Sequence, residues 1–167
     1  INRFGPASFT RESQNDVDSD AEGALMSEAD FERTRITPDR VPDLARIAVA
    51  VDPPGGATEC GIVVGGKAKL GKDWHGYTLE DATQPKGVKP EVWALEVLKC
   101  HYRHQADVIF VERNYGGDMA MAVIKQTKWL DDDGKTLVDG SKLHIEEVIA
   151  TRGKLVRAEP VATAFQQ

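Results

Sequence analysis

Two apolar runs that each end in a carboxylate constrain this chain more than any other feature of its sequence. The runs are "RIAVAVD", which ends at Asp52, and "VIFVE", which ends at Glu112. Short, continuous apolar runs that are bounded by turn signals are typical of strands buried on both faces. Glycine pairs follow both acids, as "PPGG" and "NYGG". A carboxylate at the end of a buried strand is costly unless something pairs with it, so each acid needs a partner.

The remaining patterns predict the order β-β-β-α-β-α-β-α. Glycines separate the second and third apolar runs, which favours an antiparallel hairpin there. Three consecutive strands followed by alternating helices and strands predict an α/β fold, a mixed β-sheet with helices on both faces. The segments that complete the order are strands at residues 59–66, 74–83 and 142–151, helices at 89–105 and 118–130, and a last helix in "LVRAEPVATAFQQ", where Pro160 lies in the first turn or kinks the helix.

The two strand-end acids are expected to meet. If the sheet grows outward from the first strand, the strands that end in Asp52 and Glu112 are neighbours, and their carboxyl ends share one edge. Two adjacent carboxylates repel each other unless a cation neutralises them, and their hard oxygen ligands suit Mg²⁺ or Mn²⁺. An acid after a strand is often only a turn former or a helix cap. Because two such acids end two buried strands, we favour a metal site.

The charge balance restricts how this protein could bind a polyanion. The chain has 167 residues and a net charge of −6, which argues against a simple phosphate-binding surface. The segment "TRGKLVRAEP" nevertheless places Arg152, Lys154 and Arg157 within six residues. Such a patch suits phosphate contact. The alternative is a solvated helix start, although cations there oppose the helix dipole.

Several other features indicate how the chain is organised. Residues 1–38 are predicted to form an N-terminal linker or arm, with a short helix capped by Ser27, and residues 39–167 the compact domain. Cys60 and Cys100 are expected to be reduced core thiols, and no apolar run reaches the length of a membrane span. The segment "GKAKLGKD" matches part of a phosphate-binding loop, but Asp73 replaces the required Ser or Thr and the segment lies inside a hairpin.

Three segments carry a resemblance to a known family. They are "RIAVAVDPPGG…GIVVGG", "ADVIFVERNYGGDM" and "VIATRGKLVRAEPV". Together they resemble the C-terminal nuclease domain of phage terminase large subunits, over about residues 22–167. The resemblance implies a ribonuclease H-like fold and two-metal hydrolysis of concatemeric double-stranded DNA, with Mg²⁺ or Mn²⁺ as the two ions. It makes Asp52 and Glu112 catalytic metal ligands, and Lys154 and Arg157 DNA contacts.

The resemblance also implies partners and one missing ligand. Asn114 and Tyr115 are expected at the rim of the DNA site. The expected partners are the ATPase domain of a longer chain, the phage portal and the small terminase subunit, in the cytoplasm of a bacterial host. The family's third acidic ligand is expected beyond Gln167, with Asp118 or Glu159 as the substitutes within this sequence.

Three alternatives stay open at this point. A Holliday-junction resolvase or transposase-like nuclease would share the fold. A non-catalytic module would only dock onto the portal or guide DNA. A sugar-kinase or actin-type ATPase shares the opening three strands, but it would need glycine-rich phosphate loops, for which "PPGG" is the only candidate.

Overall fold

A computed structural model describes residues 25–55, 58–113, 117–150 and 154–166. They belong to two units, one of residues 1–40 with 151–167 and the other of residues 41–150. In chain order the elements are α1 (Glu28–Thr34), β1 (Arg46–Asp52), β2 (Gly61–Leu70), β3 (Asp73–Asp81), α2 (Pro90–Arg103), β4 (Val108–Glu112), α3 (Gly117–Gln126), β5 (Lys128–Leu130), β6 (Leu137–Asp139), β7 (Ile145–Val148) and α4 (Lys154–Gln166), with short 3₁₀ helices at Pro38–Arg40 and Gly140–Lys142.

The larger unit is built on one mixed sheet of five strands. Their order is β3-β2-β1-β4-β7. The first three strands form an antiparallel meander, and β4 and β7 then add to β1 in parallel. The chain reaches β4 from β3 through α2. Such a crossover is needed because β4 runs parallel to β1, its neighbour in the sheet. The predicted mixed α/β fold with ribonuclease H-like strand order is therefore confirmed. The prediction of helices on both faces is not met by the described residues of this unit, because α2 and α3 both contribute to one core.

The two faces of this sheet differ in burial. On one face, Val49 and Val51 of β1 are almost fully buried and belong to the same core as Ile109 and Val111 of β4. Side chains of α2 complete that core, including Trp93, Ala94, Val97 and Leu98. On the opposite face, which we name the open face, Ala50 is exposed and Val63 keeps 38% of its surface exposed, although Val108 of β4, which shares this face, is fully buried. Asp52 follows Ala50 by two residues, so it projects toward the open face.

The second predicted helix was too long. α3 ends at Gln126, and residues 128–130 form β5, which pairs with β6 in a small antiparallel hairpin. Just after the end of α3, the carbonyl of Thr127 accepts a hydrogen bond from the Gly140 N–H at 3.0 Å instead of continuing the helix. Residues 137–139, between the predicted second helix and the predicted last strand, form β6. Strands of three residues carry too little periodicity to be distinguished from a helix end.

The smaller unit pairs α1 with α4. Ser27 caps α1 as predicted, since its hydroxyl accepts from the Asp30 N–H while the Asp30 carboxylate accepts from the Ser27 N–H at 2.9 Å. The rings of Phe31 and Phe165 pack at 5.5 Å between centroids. Pro160 lies in the interior of α4 rather than in its first turn. The division of the chain at residue 39 stays a prediction. Among the described residues, none of the helices combines the length and apolar character that crossing a membrane requires.

Candidate metal centre

Asp52 and Glu112 end neighbouring parallel strands at the same level. The parallel register pairs Ala48 with Val108 and runs to Val51 with Val111, so the next residues in register are the two acids. Adjacent strands lie about 4.8 Å apart, and residues in register project toward the same face. The structure therefore brings both acids to the carboxyl end of the open face, where each is partly buried. Their catalytic role stays a prediction.

The backbone around the two acids is fixed by the sheet. Asp52 pairs with Gly61 of β2, and Glu112 pairs with Val148 of β7. One residue beyond Glu112, the Arg113 N–H still donates to the Val148 carbonyl at 2.8 Å. The level of each carboxylate is therefore set by backbone pairing on a neighbouring strand.

Gly61 provides space next to Asp52. A Cβ added at Gly61 would lie 3.3 Å from the Asp52 Cβ, closer than side chains normally approach across a sheet. Any larger residue here would press on the aspartate. Sequence analysis missed this role because the pairing of Gly61 with Asp52 depends on strand register.

Cys60 is a buried thiol within electrostatic range of Asp52. Burial raises the pKa of the Cys60 thiol to about 12, and the negative charge of Asp52 adds to that effect. In the ion-free protein, a thiol with this pKa is protonated and neutral at pH 7. Cys60 and Cys100 are both free and buried, as predicted.

A third acid near the strand ends lies on the other face of the sheet. Glu147 pairs with Val111, so it is offset by one residue from Glu112. Its Oε1 is buried and has no hydrogen-bond partner among the described residues, while its Oε2 lies 3.8 Å from Arg113. In the sequence, the acid pair in "IEEV" marks Glu146 and Glu147 as candidates for a third ligand. Because side chains alternate between faces along β7, Glu147 points away from the open face.

The other predicted site residues lie elsewhere or cannot be placed. Asn114, Tyr115 and Arg152 lie outside the described residues, and only the backbone of Lys154 is described, at the start of α4. Arg157 and Glu159 are exposed on α4, which belongs to the smaller unit. Asp118 is in the first turn of α3 with 79% of its side chain exposed, and its Oδ2 lies 3.9 Å from Arg113.

The donor set at the strand ends fits a divalent ion. Asp52 and Glu112 offer carboxylate oxygens, the hard ligands that Mg²⁺ and Mn²⁺ prefer. Their shared level and face allow both to reach one ion. The donor chemistry of the expected ions is therefore matched by these two residues.

Among the described residues, the one group that brings three metal-donor atoms within 4.8 Å of one another does not include Asp52 or Glu112; it consists of Glu80, Glu96 and Cys100. Arg103 already pairs with both of its carboxylates, since its guanidinium donates to Glu80 at 2.7 Å and to Glu96 at 3.2 Å. Burial raises the pKa of the Cys100 thiol to about 12, which disfavours a thiolate ligand. This group is an ion-pair network that ties α2 to β3.

Comparisons with known proteins identify no family. No family model matches the chain, and no curated protein matches it significantly. It is similar to a Thermus thermophilus RuvC structure at 19% identity and a TM-score of 0.36, over 47% of this chain and 52% of that one. It is also similar to T. thermophilus RuvC in complex with a Holliday junction substrate, at 12% identity and a TM-score of 0.40, over 62% of this chain and 64% of that one. The chain thus spans less than two thirds of each, and neither structure assigns a role to any of its residues.

Proposed function

We propose that this chain is a divalent-metal-dependent DNA endonuclease in which Asp52 and Glu112 are the catalytic metal ligands. The observation that carries the proposal is the parallel register of β1 and β4, which ends with these two acids side by side. If the two acids only formed turns or capped helices, it would be unexplained why two neighbouring strands end in acids at the same level. Shared binding of a cation explains both at once.

The residues around the acids suit a phosphodiester substrate. Asp52 and Glu112 would hold the Mg²⁺ or Mn²⁺ ions, which supply activation of the attacking water and stabilisation of the leaving oxygen. Gly61 and Ala50 present little side chain beside Asp52 on the open face. Small residues at these two positions leave room beside Asp52 for a bulky polymer backbone.

The finer proposal is a nuclease of the terminase type. It is supported by the three sequence segments that resemble phage terminase large subunits. The substrate would then be concatemeric double-stranded DNA, contacted by Asn114, Tyr115, Arg152, Lys154 and Arg157. The ATPase domain of a longer chain, the portal and the small terminase subunit would be the partners, in a bacterial host.

A nuclease that cuts branched DNA is the second candidate. It would use the same two acids in the same ribonuclease H-like fold. The substrate to test is a Holliday junction, which is the substrate in the RuvC complex. A preference for four-way junctions over linear duplex would decide in favour of this candidate.

A nicking assay tests the shared proposal. The chain is incubated with supercoiled plasmid, linear duplex and a four-way junction in Mn²⁺ or Mg²⁺. We expect cleavage of at least one substrate, and we expect Asp52→Asn and Glu112→Gln to reduce the rate by 100-fold or more, in the range of about 10²–10⁴ that such catalytic groups contribute. Asp132→Asn, which changes an exposed acid in the β5–β6 loop, should cleave like the wild type.

Calorimetric titration with Mn²⁺ separates the nuclease from a docking module. The nuclease predicts a binding signal that Asp52→Asn and Glu112→Gln weaken. The absence of both a binding signal and DNA cleavage would overturn the proposal and leave the docking function. Equal cleavage by wild type and Asp52→Asn would also overturn it.

A further inference from the structure

The hairpin formed by residues 67–76 extends beyond the rest of the sheet. We name it the β2–β3 ribbon, with the sequence "KAKLGKDWHG". The pairing of β1 with β2 ends at Arg46 and Lys67, whereas β2 and β3 continue to pair as far as Leu70 and Asp73. A two-residue turn with Gly71 at φ 64° joins them. This segment matches part of a phosphate-binding loop in sequence only, and the structure confirms that it is a hairpin.

The ribbon is basic in an acidic chain. It carries Lys67, Lys69 and Lys72 against the single acid Asp73, while the whole chain has a net charge of −6. Residues 69–76 are all exposed. The lysines therefore face solvent, where they can meet an anionic partner.

An exposed tryptophan stands among these lysines. Trp74 keeps 56% of its surface exposed, although Trp93 in the core keeps only 2%. The Lys67 Nζ lies 4.6 Å from the centroid of the Trp74 ring, and Lys69 is the cross-strand partner of Trp74. Aromatic rings interleaved with cations are the pattern by which proteins bind single-stranded nucleic acid: bases stack on the ring, and the cations contact phosphates.

The ribbon presents these groups on the same face as the candidate metal centre. The β1–β2 register is continuous from Asp52 with Gly61 to Arg46 with Lys67, so alternation carries the open face from Gly61 to Lys67 and Lys69. Trp74 shares that face through its pairing with Lys69. Eight residues separate Gly61 from Lys69, which corresponds to about 26 Å along the strand. A DNA strand held at Asp52 could thus cross the open face and reach the ribbon.

We propose that the β2–β3 ribbon binds a single-stranded DNA segment, with Trp74 stacking on an unpaired base and Lys69 and Lys72 contacting phosphates. The inference deepens the proposed nuclease function and rests on it for the identity of the polymer as DNA. Unpaired bases are required because the bases of an intact duplex are stacked on one another. Such segments occur at branches, at frayed ends and beside nicks.

The test is binding of fluorescein-labelled oligothymidine measured by fluorescence anisotropy in EDTA, where divalent metal cannot support cleavage. We expect Trp74→Ala to raise the dissociation constant about 5- to 150-fold, which corresponds to the loss of one base–aromatic stack, and Trp74→Phe to retain most of the affinity. The Lys69→Gln/Lys72→Gln double variant should lower the slope of log affinity against log salt by about 1.4, or about 0.7 for each lysine that no longer neutralises a phosphate.

Lys142→Gln is the matched control, because Lys142 is exposed in the 3₁₀ helix that precedes β7, at the other edge of the sheet. It should bind like the wild type. The inference is overturned if Trp74→Ala binds as tightly as wild type, if the double variant keeps the wild-type salt slope, or if duplex binds more tightly than oligothymidine. The altered residues are exposed, and circular dichroism checks that each variant is folded.

The binding test of the ribbon and the cleavage test of the proposed nuclease can fail independently of each other. Asp52→Asn should lose cleavage, and adding Trp74→Ala to that variant should still raise its dissociation constant for oligothymidine in EDTA. A chain that cleaves DNA but whose affinity does not respond to the ribbon substitutions overturns only the inference about the ribbon. A chain whose ribbon binds oligothymidine but that cleaves nothing overturns only the proposed nuclease.

Discussion

Single residues decide how much space the candidate metal centre has. Gly61 faces Asp52 across the β1–β2 pair, and a methyl group there would lie 3.3 Å from the Asp52 Cβ. We expect Gly61→Ala to lower the rate of DNA cleavage while the fold is kept, because the aspartate must shift by a few tenths of an ångström. The measurement is the nicking rate in Mn²⁺ beside a thermal unfolding curve.

Gly65→Ala is the control for that substitution. Gly65 lies on the same face of the same strand, and a methyl group there would be 3.5 Å from the Tyr77 carbonyl, an ordinary contact. It should leave the nicking rate close to that of wild type. Equal rates for Gly61→Ala and wild type would show that the space beside Asp52 does not limit the reaction.

Glu80 makes the stability of the fold depend on pH. Burial alone would raise the pKa of its carboxyl, but the hydrogen bonds from Arg103 and His104 and their positive charges outweigh burial and hold the pKa below its ordinary value of 4.5. A depressed folded-state pKa contributes stability that is fully present above the unfolded value and is lost as the pH falls through the folded one. We therefore expect Glu80→Gln to unfold at lower urea than wild type at pH 7. The gap should narrow as the pH falls below 4.5. A gap of constant size across that range would contradict the assignment.

Residues that a local sequence pattern marks can be predicted, whereas residues whose role depends on distant parts of the chain cannot. Asp52 and Glu112 can be proposed as site residues from sequence because each ends its own apolar run, which is a local pattern. The space at Gly61 and the face of Glu147 depend on which residue of another strand lies opposite, and that register is set by packing of the whole sheet. Arg103 and Glu80 likewise meet only once α2 lies on the sheet.

At the scale of elements, long buried runs determine the order of strands and helices, while short strands depend on tertiary contacts. The five strands of the main sheet were each predicted, because their apolar runs are bounded by turn residues. The β5–β6 hairpin was missed because its strands have three residues each. Contacts hold it in place: Trp129 meets the ring of Tyr102 of α2 edge-on at 5.5 Å, and the Tyr102 hydroxyl donates to Asp131 at 3.2 Å.

Gly140 is the position where this hairpin returns to α3. A Cβ at Gly140 would overlap the backbone carbonyl oxygen of Ile124, so the backbone itself must move. We expect Gly140→Ala to destabilise the protein by at least about 2 kcal/mol, within the range for overpacked sites. The free energy of unfolding in urea measures it. Gly76→Ala adds a methyl group in open space and should change stability little; a similar loss in both variants would mean that the close approach at Gly140 does not matter.

At the scale of the whole molecule, the sheet topology converts a separation of sixty residues in sequence into adjacency. The strands that end in Asp52 and Glu112 become parallel neighbours only because the meander of β2 and β3 pairs on one side of β1 and leaves the other side to β4. The strand order could be inferred from sequence, since three strands in succession favour a meander.

Because both metal ligands belong to the folded sheet, divalent ions should stabilise the whole molecule. An unfolded chain does not hold Asp52 and Glu112 together, so an ion that binds only the folded state stabilises it by about 2.7 kcal/mol at a concentration one hundred times the dissociation constant. We expect saturating Mn²⁺ to raise the unfolding midpoint of the wild type and of Asp132→Asn, and to raise that of Asp52→Asn and Glu112→Gln far less. The measurement is thermal unfolding followed by circular dichroism in Mn²⁺ and in EDTA. An equal rise in all four proteins would show that the ion binds elsewhere. The two acids would then be neighbours in the sheet without binding the ion.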